Sequence, residues 1–258
     1  MKLYFKYLKM GFKSELQYKW SFFLALLSQI MIVLTSYFVI VSLFQKFGNI
    51  KGFTVYDVLL TFSIIQFGFS FNEVFFRGID KFDHLIVNGG FDRLLIRPRS
   101  IFLQVLGSEF QFVKLSRMLQ ALVILGIALF HQSISWNGYK VLALILMLMS
   151  SILIFLEIFI LGASYCFFTI EGLEARNLFT YGGREFSQYP IGVFPKGIVF
   201  FFSFVIPFAF VNYYPLLYLL EQRQHPIYAF SPLVVVLFLF PCILVFQRSS
   251  KHYLSVGS

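Results

Sequence analysis

The sequence predicts an all-α protein that crosses a membrane several times, and three observations carry that. Of its 258 residues, 59% are hydrophobic and 13% are charged, against about 25% charged in a soluble domain. The mean hydropathy is +0.79. Long apolar runs recur, each near the ~20 residues a helix needs to cross ~30 Å of hydrocarbon. So few charges cannot cover a globule, which excludes a soluble domain, a disordered chain and a secreted disulfide scaffold. The 37 Phe suit a lipid-facing surface.

Six spans follow in order. Residues 21–44 carry no charge. Residues 58–76 have Glu73 near the end, and 115–130 have Arg117 at the start. Residues 141–170 are interrupted only by Glu157. Residues 197–220 are uncharged but hold Pro207 and Pro215, and 226–246 come last. A proline removes a helix hydrogen bond and kinks or breaks the helix. The fifth run is therefore either one kinked helix or a span ending near Pro207, followed by re-entrant or outer-leaflet helical elements over 206–225. No shift in composition marks a second domain, so residues 1–258 read as one transmembrane domain.

Counting Lys and Arg orients it. With the N-terminus inside, seventeen lie on the cytoplasmic side, and four (Lys46, Lys51, Lys140 and Arg223) lie outside. The positive-inside rule then puts both termini in the cytoplasm. It also accounts for the net charge of +9 without nucleic acid as a partner.

Residues 1–20 form no span and no cleavable signal peptide. Leu3, Tyr4, Tyr7, Leu8 and Phe12 recur at helical spacing against Lys2, Lys6, Lys9 and Lys13. This predicts an amphipathic helix lying among lipid headgroups. It serves as an anchor, or as an anchor that also braces a partner. The longest cytoplasmic segment, 72–114, opens with a second amphipathic pattern over 73–88. Phe76, Ile79, Phe82, Leu85 and Ile86 share one face, and Arg77, Asp80, Lys81 and Asp83 face elsewhere. Gly89 and Gly90 end it. The segment is either a solvated loop or a docking element for a cytoplasmic partner. Residues 171–196, aromatic and turn-rich, read as an interfacial connector.

Chemistry is scarce. There is no metal-ligand spacing and no nucleophile–base set. Cys166 and Cys242 lie in apolar runs and make no disulfide framework. No Walker A loop occurs, so the chain has no such ATP site of its own. A lipid-acting enzyme would have only Glu157, Glu171, Glu174 and His84, which are dispersed. Glu157 falls near the middle of its run, where a charge costs about 2.5–3.5 kcal/mol on insertion scales. It is read as lining a substrate path, as a group near the interface, or as a structural hydrogen bond. Gln29 is a weaker path residue.

Four features in order resemble the ABC-2 type permeases, in the branch with one ATPase and two related permeases. The first is the basic interfacial helix before span one. The second is Gly89, Gly90, Phe91 and Asp92, followed by Leu94, Leu95, Ile96, Arg97 and Pro98. The third is Tyr189 and Pro190 leading to Ile206, Pro207, Phe208, Tyr214 and Pro215. The fourth is the tail with Tyr253, Ser255 and Gly257.

The resemblance implies a six-span permease subunit of an ABC exporter in the bacterial plasma membrane. It implies a coupling helix between spans two and three that docks on a dimeric ATPase, and a second permease, a paralogue or an identical copy. ATP and Mg would sit on the ATPase, with no cofactor in this chain. Phe76, Arg77, Asp80, Lys81 and Asp83 would be coupling contacts, and Gly90, Phe91, Asp92, Arg97 and Pro98 would shape the loop. The sequence leaves open an uptake subunit as well as an exporter, and it does not name the cargo.

Overall fold

The structure, a computed structural model, describes residues 2–169 and 177–253. Five helices are long and apolar enough to cross a membrane, and a bent pair makes a sixth if counted as one span. Among the described residues no β-strand forms beyond the isolated bridge between Ile50 and Phe53. The all-α polytopic class is what the apolar runs predict.

The first helix, α1 (Lys2–Glu15), leads through a short 3₁₀ turn into span one, α2 (Lys19–Phe47). Span two is α3 (Val55–Phe75). Its start is set by a capping box: Asp57 N–H donates to Thr54 Oγ1 at 3.3 Å, and Thr54 N–H donates to Asp57 Oδ2 at 2.7 Å. Two otherwise orphaned donors are satisfied reciprocally. Four short helices follow: α4 (Arg77–Asp80), α5 (Phe82–Val87), α6 (Gly90–Leu95) and α7 (Ile101–Leu106). Spans three and four are α8 (Leu115–His131) and α9 (Gly138–Tyr165). The last span is α13 (Ile227–Phe230) running into α14 (Leu233–Ser249).

Span two is the hub, buried on nearly every side. It packs on spans three and four. Gly68 makes the second contact possible, because a Cβ there would overlap the Ser151 main chain. Close backbone approach at a small residue is how helices associate where lipid supplies no hydrophobic drive. Just below, Asn72 Nδ2 donates to Ile152 O at 2.8 Å. Span one is the opposite case, with only Val33, Ile40 and Phe44 buried. The phenylalanines divide in the same way. Phe23, Phe38 and Phe240 face outward, but Phe62, Phe69, Phe155, Phe159 and Phe208 fill the core.

Two expectations are corrected. The pattern over 73–88 is not one helix: Glu73 belongs to span two, which ends at Phe75, and the rest is the two short helices α4 and α5. Residues 177–196 are not merely interfacial. A π-helical turn (Leu178–Gly182) and α10 (Gly183–Ser187) lie along span two. Thr61 Oγ1 donates to Gln188 O at 2.8 Å, and Asn212 Nδ2 donates to Ser187 O. Small residues, Gly183 and Ser187, let this segment seat deeply.

The run over 197–220 is broken. Helix α11 (Lys196–Phe204) meets the π-helical turn Ala209–Tyr213 and α12 (Tyr214–Leu219) at 96°. Pro207 sits at the bend and can give no N–H to continue a helix. Beyond α12, Glu221 adopts a positive φ of 60°. Hydrogen bonds from Lys140 Nζ, at 2.6 Å, and from Ser135 hold its carboxyl below the usual range. The clasp fastens this turn to the start of span four.

The Lys140–Glu221 clasp holds the 221–226 turn at the start of span four, and the 93–99 loop follows the end of span two, so the two are expected on opposite sides. A Cys at Gln224 should react with a membrane-impermeant maleimide on intact cells, and one at Arg97 only after permeabilisation. Cys166 and Cys242 are buried and contribute little background. Equal labelling of both positions from outside would contradict this topology.

Candidate functional site

The residues with most polar chemistry gather at the end of the bundle that holds the 93–99 loop. The last turn of α3 carries Glu73. Arg77 and Asp80 follow at helical spacings, which places Arg77 between the two carboxylates. Arg77 Nη1 lies 3.5 Å from Glu73 Oε1 and also pairs with Asp80. Span three supplies two more cations. Arg117 Nη1 donates to Glu73 Oε2 at 2.9 Å, and Lys114 Nζ stands 3.4 Å from Oε1. Lys114 also donates to Gln29 of span one at 3.2 Å. Arg77 donates to the Tyr181 hydroxyl at 3.3 Å, and the Arg184 guanidinium stacks 4.8 Å from the Phe69 ring centre. Four otherwise separate segments thus meet at one carboxylate and its neighbours.

The cluster is desolvated: Glu73 and Asp80 are 1% exposed, Arg117 5% and Arg77 6%. Burial alone would lower the Arg77 pKa, but Asp80, Tyr181 and Glu73 outweigh it and the net shift is upward. An ion in such a place costs several kcal/mol unless paired. Gly78 keeps the cluster compact, because a Cβ there would overlap the Val105 carbonyl of α7.

An aromatic cluster holds the other flank of 72–114. Phe82 packs edge-on to Phe91 (5.2 Å), Phe167 (5.0 Å) and Phe246 (5.7 Å), and Phe91 meets Tyr253 at 4.8 Å. This ties α5 and α6 to the ends of spans four and six. Between the two helices Gly89 takes a left-handed φ of 63°, a conformation glycine adopts without steric cost. Gln104 Nε2 then donates to Leu94 O and Arg99 O, each at 3.2 Å, and folds the loop between them. Arg93, Leu95, Ile96, Arg97, Pro98 and Arg99 form the exposed tip. Ile96, at 84% exposure, is among the most exposed apolar residues.

Helix α1 is bound to this same segment. Tyr4 Oη donates to Phe75 O at 2.7 Å, and the Glu15 carboxylate accepts from Phe112 N–H (2.9 Å) and Val113 N–H (3.2 Å). Tyr4, Tyr7 and Leu8 pack against Val74, Phe110 and Phe112. Phe5, Met10 and Trp20 stay exposed, as do Lys6, Lys9 and Lys13. The helix therefore has a protein face, an apolar outer face and a charged face. What it braces is its own chain.

The residues singled out by sequence fall into two groups. Arg77, Asp80 and Asp83, expected on an outward polar face, are turned inward, and Lys81 is half-buried. Periodicity assigns a charge to water, whereas a charge with partners can be buried. Phe76, Gly90 and Asp92 are half-buried and Phe91 is fully buried; Arg97 and Pro98 are exposed. Sequence reasoning did not assign roles to Lys114, Arg117, Tyr181 and Gln104. One signal was available: Glu73 ends one span and Arg117 opens the next, as opposite charges on consecutive helices.

Gln29 and Glu157 are not brought together. Gln29 joins the ion cluster. Glu157 opens into a cavity of about 520 Å³ beside spans four and six. It lies five residues past Ile152, whose carbonyl binds Asn72, so at 1.5 Å per residue it stands abreast of the last turn of span two. That places it toward the end of the bundle, not at mid-membrane as its position in the run suggests. His84 is exposed beside Asp83 and does not approach Glu157 in either cluster. Arg176, Glu171, Glu174 and the tail motif over 254–258 lie outside the described residues. Among the described residues no three His, Cys, Asp or Glu could share a metal ion.

A long buried span two, a folded 72–114 segment and a proline-broken helix before the last span are the arrangement on which the family comparison bears. The family model described as ABC-2 family transporter protein matches residues 30–257. The chain belongs to the ABC-2 transporter family. No curated relative and no solved structure matches it. As an ABC-2 protein it is the membrane permease of an ABC transporter, a transport subunit not itself catalytic, of a class that associates with an ATP-binding cassette ATPase.

In this permease Glu73→Gln leaves Lys114 and Arg117 without a carboxylate. The expected cost is about 3–5 kcal/mol, read as a lower unfolding midpoint in detergent. Replacing Glu73 and Arg117 together by Leu should cost less than the sum of the single changes. Strict additivity would show that the two are not coupled.

Proposed function

We propose that this ABC-2 permease is the membrane half of an ATP-driven exporter, paired with a second ABC-2 permease, a paralogue in the branch it resembles. It sits in a bacterial plasma membrane with both termini cytoplasmic, and residues 72–114 are the coupling segment. The observation that carries this reading is how that segment is attached. One flank is bonded to spans two and three through Glu73, and the other is packed on spans four and six through Phe82 and Phe91. A push on its tip therefore reaches the bundle through two flanks, one ionic and one aromatic.

The tip is where the ATPase would press. Arg93, Arg97 and Arg99 surround Leu95 and Ile96, all exposed. An apolar anchor ringed by arginines suits a groove with an acidic rim. ATP and Mg bind on the ATPase, whose closure would move the tip. Gln104 and Phe91 carry the displacement into the bundle, and the buried charges carry it to spans two and three. Packed cores respond by switching between discrete arrangements rather than deforming smoothly, so two access states are the outcome. Arg77, Asp80 and Asp83 act inside this lever, while Lys81, Arg97 and Pro98 lie nearer its contact surface. Span one, with Phe23, Leu24, Leu27, Met31 and Phe38 uncovered, leaves the widest apolar face for the second permease.

The test is co-purification in mild detergent, followed by ATP hydrolysis of the recovered complex. Ile96→Asp and Arg97→Glu should each reduce recovery of the ATPase at least about tenfold, as loss of an interface anchor does, with the unfolding midpoint unchanged because both side chains are exposed. Normal recovery with both changes would sink the docking assignment. In inside-out vesicles ATP should drive cargo into the lumen; ATP-driven loss from the lumen would make it an importer.

A further inference from the structure

The cavity beside Glu157 takes no part in the lever just described. It lies between the last three turns of α9, the bend at Val205, Ile206 and Pro207, and α14 at Phe238 and Cys242. Its rim is apolar and open. Leu161, Tyr165, Phe179, Val205 and Phe238 are each between 40% and 59% exposed, an apolar rim that suits contact with lipid. Its volume falls within the roughly 300–1,000 Å³ of small-molecule sites.

At its back stands one carboxyl. Glu157 is 3% exposed, and its Oε1 accepts no hydrogen bond. Glu73, at nearly the same height, is answered by Arg77, Lys114 and Arg117. Glu157 shares its cavity with Cys242 and Tyr165 and with no cation. A buried acid in an apolar chamber thus lacks a donor among the described residues.

We propose that this cavity binds a lipophilic amine that enters sideways from the cytoplasmic leaflet. The ammonium docks on Glu157, and the hydrocarbon lies along Leu161, Phe179, Val205 and Phe238. This names a cargo class for the exporter and rests on that reading for transport, though not for binding. A free alkylamine and the ethanolamine headgroup of a phospholipid offer the same chemistry.

The experiment uses the full chain with its co-purifying subunits in nanodiscs of phosphatidylcholine and phosphatidylglycerol, with empty discs subtracted. Radiolabelled dodecylamine should bind saturably, and dodecanol at least about tenfold more weakly, because the charge-assisted hydrogen bond is lost. Glu157→Gln should weaken dodecylamine to the level of dodecanol. Leu161→Trp, which fills the mouth and keeps the acid, should weaken both. Phosphatidylethanolamine in the discs displaces dodecylamine if the lipid is the natural occupant and leaves it bound if a free amine is. Equal binding of amine and alcohol, or unchanged amine binding by Glu157→Gln, overturns the site. Amine binding without ATP-driven export of the amine leaves the site standing and removes the exporter's cargo assignment. ATP-driven amine export that survives Glu157→Gln removes this cavity from the transport route.

Discussion

A carboxylate buried at the end of a membrane helix has to be answered by positive charge, and Glu73 is answered from three positions. Arg77 comes from its own end of the chain, and Lys114 and Arg117 from the next span. Those contacts close the 72–114 segment into a loop whose two ends meet at one side chain. Gln29 and Tyr181 then attach span one and the 178–187 segment to the same point. Remove that carboxylate and three cations remain among apolar helices with Asp80 as the nearest carboxylate. The architecture at this end of the bundle is thus arranged around a solvation requirement, and the apolar packing fills in about it.

At the opposite flank the same segment is held largely by apolar packing, with aromatic rings at its centre. The difference is physical as well as descriptive. Ring packing is non-directional beyond its preference for edge-on contact and tolerates small rotations, whereas a charged hydrogen bond is short and oriented. The segment is therefore fixed in angle on the Glu73 side and free to slide slightly on the Phe82 side. A displacement of the tip would be converted into a tilt about the ion cluster, with spans four and six moving more than spans two and three.

Much of the architecture was legible in the sequence because lipid imposes simple rules. Uncharged runs of the right length give spans. Pro207 and Pro215 marked the run that does break. What stayed hidden has one cause: periodicity sorts residues by polarity alone, and pairing cancels polarity. Arg77, Asp80 and Asp83 look like a wet face until their partners are known. Glu73 and Asp80 stand one turn from Arg77, but Tyr181 is 104 residues from Arg77 and Arg117 is 44 from Glu73. The depth of Glu157 was hidden too, because a 28-residue helix is longer than the membrane and only contacts such as Asn72 with Ile152 set its height. The seating of Tyr181 and Gln188 against span two was masked by a turn-rich composition that also describes a loop.

The contact between Glu15 and the N–H groups of Phe112 and Val113 has a bearing on biosynthesis. Helix α1 finds its seat on residues made about a hundred positions later. Until then its tyrosines and leucines can rest only on lipid. Spans one and two must be inserted, and the chain between spans two and three completed, before the amino-terminal helix can be locked. Docking of that helix is thus a late event in assembly, and it reports that the 72–114 segment beside it has closed.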